Sequence, residues 1–129
     1  MNSEDDVKTL EKLIVQLQSL HLELSQLTKK SPNDGLNLFK LKLVNKVLAS
    51  GNKILVGTFK PFEDFDEFEE DALPTNSDVT MILALYIEQA ERFRSDNMIY
   101  SRHRWVYVIN DEASEVEGRV PSKIGVIKK

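Results

Sequence analysis

Leu10, Leu17 and Leu24 recur every seven residues; Leu13, Leu20 and Leu27 form a second such line, and Val7, Ile14 and His21 a third. On a helix these lines are adjacent and make one broad apolar stripe, which predicts a helix over SEDDVKTLEKLIVQLQSLHLELSQLTKK. Val15 and Leu22 widen the stripe beyond a two-stranded coiled-coil seam, so this helix is expected to face more than one neighbour. Ser3 is the expected N-cap. Glu4, Asp5 and Asp6 suit the positive helix start, Lys29 and Lys30 its end, and Pro32 and Gly35 stop it.

SPNDG is a connector short enough to make the next helix an antiparallel neighbour, with Asp34 as its expected cap. Leu36, Phe39, Leu43 and Val47 share one face, with Leu41, Val44 and Leu48 alongside, and the helix is expected to run to about Val56. Ser50-Gly51-Asn52 allows an earlier end, with Ile54-Leu55-Val56 as a short strand, so residues 53–57 stay open between helix and strand.

Pro74 resets the chain, and Asn76 or Ser77 can cap a third helix carrying Val79, Ile82, Tyr86, Ala90 and Phe93 at helical spacing, widened by Met81, Leu85 and Ile87 and ended at Asn97. The period then changes. RWVYVIN is a β-branched and aromatic run, NDEAS is turn-like, EVEGRV can pair back, and PSKIGVIKK is a last strand or a loose end. The expected architecture is mainly α (α+β): an N-terminal helical hairpin (1–57), a third amphipathic helix packed on it (77–97) and a small C-terminal β-hairpin (98–129), in one domain.

The crossover (58–76) holds FKPFEDFDEFEED, with Phe59, Phe62, Phe65 and Phe68 every third residue and seven carboxylates from Glu63 to Asp71. Steps of three drift by about 60° on an α-helix, so one long helix cannot bury all four rings on one surface. A turn at Lys60-Pro61 and a short helix from about Asp64 to Ala72 are expected instead. As a lid, the segment would plug its rings between helices and leave its carboxylates wet, near Lys40, Lys42, Lys46, Lys53 and Lys60. As a docking element, Phe59, Phe62, Phe65, Phe68, Glu69 and Asp71 would contact another protein, charge steering the encounter and rings supplying contact energy. The lid is favoured for most of the rings.

A net charge of −4 disfavours wholesale electrostatic binding to nucleic acid or an anionic membrane. The absence of cysteine excludes disulfides, thiolate metal sites and cysteine nucleophiles. An acidic N-terminus, with no apolar run longer than Met81 to Ile87, leads to the expectation of an intracellular protein, cytoplasmic or nuclear, with no membrane partner. No phosphate-binding glycine loop or nucleophile elbow is present. His21 lies on the packed stripe and His103 stands between two arginines, so no two-histidine metal site is expected.

Arg92, Arg94, Tyr100, Arg102, His103 and Arg104, with Trp105 and Tyr107 close by, have the composition of a single-stranded nucleic-acid contact. Glu88, Glu91 and Asp96 offset most of that charge. Glu67 with Glu70, and Glu88 with Glu91, are i, i+3 pairs able to hold Mg²⁺ on helices. This pattern resembles that of the all-α nucleotide pyrophosphohydrolases, E-x-x-E followed by E-x-x-D on neighbouring helices. The resemblance implies Mg²⁺-dependent nucleotide hydrolysis by Glu88 and Glu91. It departs in ending on Glu91 rather than Asp, in the interruption at Pro74, and in lacking a basic phosphate-binding set. The favoured expectation is a non-enzymatic interaction module, an adaptor or assembly subunit without cofactor, whose partner is another protein or a second copy.

Overall fold

The structure, a computed structural model, describes residues 1–123. It is mainly α with a small antiparallel sheet at the C-terminal end. Helix α1, Glu4–Lys30, starts at Ser3, whose hydroxyl accepts the Asp6 N–H at 3.3 Å. It buries Val7, Leu10, Leu13, Ile14, Leu17 and Leu24, while Leu20, His21 and Leu27 are half-buried. Val15 and Leu22 do not widen this buried face; both are exposed.

Helix α2, Leu38–Ile54, runs antiparallel to α1, with Lys40 paired to Glu23 near one end and Gly51 facing Leu13 near the other. Asn37, not Asp34, supplies its cap by accepting the Lys40 N–H. The Asp34 carbonyl instead accepts the Asn76 N–H at 2.9 Å. Helix α3, Asn76–Asp96, lies antiparallel along α1, where the Thr28 and Thr80 hydroxyls meet at 2.8 Å; this is the broadest helix contact. Its cap is Thr75 rather than Asn76 or Ser77, because Asn76 is buried and donates to the Ser31 carbonyl.

Residues 53–57 form neither a full helical turn nor a strand. The helix ends at Ile54, Leu55 is buried, and a 3₁₀ turn follows at Gly57–Phe59. Ser50-Gly51-Asn52 does not break α2. Gly51 is buried where α2 crosses α3, and a Cβ there would sit 3.3 Å from the Tyr86 ring. Nor is there a helix from Asp64 to Ala72. The crossover is an extended strap along α2, tightening into a 3₁₀ turn only at Glu70–Ala72.

The excursion through α2 and the strap is closed at its base. Gly35 bridges Thr75, the Leu36 N–H donates to the Pro74 carbonyl at 2.9 Å, and the Ser77 N–H to that of Pro32 at 3.1 Å.

The C-terminal hairpin is a three-stranded meander: β1 Met98–Ser101, β2 Arg104–Ile109 and β3 Glu112–Glu117, in that order. The extra strand, β1, follows α3 with Asn97 alone between them. Two-residue turns at Arg102-His103 and Asn110-Asp111 have positive φ at both positions, as hairpins with matched twist require. Met98 and Tyr107 join the helical core, and the Tyr107 hydroxyl donates to Glu11 on α1 at 2.9 Å. Gly118 passes directly over them; a Cβ there would approach Tyr107 at 2.7 Å and Met98 at 2.8 Å. Of PSKIGVIKK, residues 124–129 lie outside the described residues.

Candidate interaction surface

An extended segment with no neighbouring strand must find other partners for its peptide groups. The strap finds them on α2. The buried Asn45 amide donates to the Phe68 carbonyl at 2.9 Å and accepts the Phe68 N–H at 3.0 Å, as a paired strand would. Two turns on, Asn52 donates to the Asp66 carbonyl at 2.8 Å and accepts the Tyr86 hydroxyl at 2.7 Å. Burial pushes that phenol up to about 12, with Asp66 adding to the rise and the Asn52 bond opposing it. Asn45 and Asn52, seven apart, thus lie on one flank of α2 and fix the strap along it.

Side chains of an extended chain alternate between faces. With Phe68 turned inward, Glu67 and Glu69 face solvent, and all seven carboxylates from Glu63 to Asp71 are exposed. Phe59, Phe65 and Phe68 are half-buried against the core. Phe59 meets Phe93 edge-on at 5.2 Å beneath the Arg92 guanidinium, and Phe65 meets Phe68 at 5.1 Å. Phe62 alone is exposed, at 42%. Burying a Phe side chain contributes roughly 1.5–3 kcal/mol, so three rings anchored inward outweigh the screened repulsion of acids in water. Of those acids only Asp66 forms an ion pair among the described residues, with Lys60.

The outer face of α2 carries opposite charge. Lys42, Lys46 and Lys53 fall about 60–100° around the helix from Asn45, are exposed, and have no ion pair among the described residues. Leu38, Phe39 and Leu43 flank them in solvent, Phe39 at 72% exposure. Leu41, Val44 and Leu48 fill the core as the sequence suggests. Phe39 and Leu43, assigned to a packed face by spacing, are outside it. Lysine excess on α2 was visible in the sequence; the separation of Lys42, Lys46 and Lys53 from the strap was not.

The arginines are mostly engaged. Arg94 is 1% exposed; it forms a two-pronged pair with Glu91 at 2.8 and 2.9 Å and donates to the Arg119 and Val120 carbonyls. Arg92 donates to the Thr58 carbonyl, and Arg104 pairs with Glu115 and Glu117. Tyr100 packs edge-on against Trp105, leaving Arg102 and His103 exposed at the β1–β2 turn. The stretch therefore does not form one basic face.

Glu91 also accepts the Ser122 N–H and hydroxyl. Burial alone would raise its carboxyl, but Arg94 and Ser122 hold it down at about 2. Glu88 pairs with Lys123. A cation at Glu88 and Glu91 would have to displace these partners. Among the described residues no three His, Asp or Glu side chains are grouped to hold a metal ion, and no helix is long and apolar enough to cross a membrane. No family model, curated protein or solved structure matches the chain.

Proposed function

We propose that the chain is a non-enzymatic protein–protein interaction module, an adaptor or assembly subunit, and that it docks through the face formed by α2 and the strap. One observation carries this reading: Leu38, Phe39, Phe62 and Leu73 stand in solvent beside lysines and carboxylates that have found no partners of opposite sign. Large apolar side chains ringed by uncompensated charge suit a contact in which charge steers the encounter and apolar groups hold it.

Three of the strap's four rings serve the fold, so the outer face of α2 and Phe62 are the better contacts to test. A tagged full-length chain is compared with Phe39→Ser and Phe62→Ser in a pull-down from lysate, with melting temperature as the control. Loss of a stoichiometric partner from variants that melt normally is expected. Undiminished capture by both variants would move the docking surface elsewhere.

A further inference from the structure

We infer that this face is self-complementary, and that its occupant is a second copy of this chain related by a twofold axis. The inference rests on the reading of the face as a docking surface and names the partner for it. The strap and the lysine ridge lie side by side and run along the same helix. The strap presents Glu67 and Glu69 outward, with Glu63, Asp64, Glu70 and Asp71 exposed around them. The ridge presents Lys42, Lys46 and Lys53.

Two parallel strips of opposite sign become complementary when a second copy is turned by a half-rotation about an axis in the contact plane, parallel to α2 and between the strips. Each acidic strip then covers the other copy's lysines, and the two α2 helices run in the same direction. An axis across the strips would instead set like charge on like. The charge pattern therefore selects one isologous arrangement. Leu38 and Ala49 occupy the seam: both are exposed, and both lie within about 40° of Asn45 on α2, between the strap and the lysines. Along the axis each would meet its own counterpart, which gives the dimer an apolar centre and a charged rim.

The test is sedimentation equilibrium of the full chain from low to high micromolar concentration, at low and at physiological salt. The wild type should shift from monomer to dimer, more weakly as salt rises. Lys42→Glu with Lys46→Glu turns the ridge acidic overall, and Glu67→Lys with Glu69→Lys cuts the strap from seven carboxylates to five and sets lysines at its two outward positions, opposite the other copy's lysines. Each doubly substituted chain should be at least about tenfold weaker in self-association. Mixed in equal amounts, the two variants should form a one-to-one heterodimer, which also proves that both are folded.

A wild type that remains monomeric at high concentration overturns the inference, and so does self-association that neither charge reversal reduces. If the monomeric wild type still captures a different protein that Phe39→Ser releases, only the second-copy occupant falls. If capture is absent as well, the docking reading falls with it.

Discussion

Two irregular segments are laid on the helices, and they are fastened by opposite chemistry. The middle of the strap, residues 66–68, is held by neutral amides, Asn45 and Asn52, with its own acids Asp66 and Glu67 turned to solvent. The chain leaving β3 is held by a charged pair, Arg94 with Glu91, of which Arg94 is almost wholly buried and both residues are spent on backbone groups of residues 119–122. Amide fastening is indifferent to pH and leaves the surrounding acids free for other work. The ion pair is costly to break, because Arg94 without Glu91 is a buried charge and Glu91 without Arg94 is a partly buried one.

Removing Arg94 should therefore have the largest effect. Arg94→Ala strands Glu91 and leaves two carbonyls without their donor, and a loss of about 3–5 kcal/mol is expected in urea unfolding. A loss under 1 kcal/mol would mean the pair is not a fastening at all.

Acid should separate the two segments next. The Glu91 carboxyl is held at about 2 against an ordinary value of 4.5. A lowered folded value contributes stability that is fully present above the ordinary value and is lost as pH falls from about 5 towards 2. The contribution is about 3 kcal/mol at most. Glu91→Gln should flatten this part of the stability–pH curve; an unchanged curve would assign the acid sensitivity to other carboxylates.

Asn45→Ala should cost about 2 kcal/mol, since it leaves the Phe68 N–H and carbonyl unpartnered. Hydrogen exchange should rise along residues 65–69 while the sheet stays protected. Asn45→Asp, which cannot donate while ionised, should do the same and add repulsion from the strap. The smallest effect is a gain. His103→Gly relieves a left-handed backbone at φ 69° in an exposed turn and should stabilise the protein by about 1 kcal/mol.

The two segments also differ in how well the sequence announces them. The heptads of α1, the stop at Pro32 and the end of α3 at Asn97 are local signals, and the structure follows them. Spacing puts Leu36, Phe39, Leu43 and Val47 on one face of α2 with Leu41, Val44 and Leu48 alongside, yet of these Phe39 and Leu43 are left exposed. Which part of so broad an apolar face is buried depends on where α1 and α3 lie, and spacing along one helix does not encode that. Gly51 reads as a breaker until the Tyr86 ring 35 residues later is placed against it.

Strand β1 was hidden because its four residues follow α3 with a single residue between, and no turn motif precedes them. The composition of the candidate surface was legible in its phenylalanines and carboxylates. The inward set of Phe65 and Phe68 goes with the amide contacts of Asn45 and Asn52, and that of Phe59 with Phe93 and Arg92, long-range pairings that leave no periodic trace.

The pinned base of the excursion has a further consequence. Because Gly35 meets Thr75 and Leu36 bonds to Pro74, residues 36–75 leave and rejoin the α1–α3 frame at one point. Bringing the ends together limits the entropy gained when the contents of the loop detach. Helix α2 and its strap are tied to each other through Asn45 and Asn52 and to the frame at this root, so a local opening of the excursion frees a closed loop with fixed ends rather than a free chain.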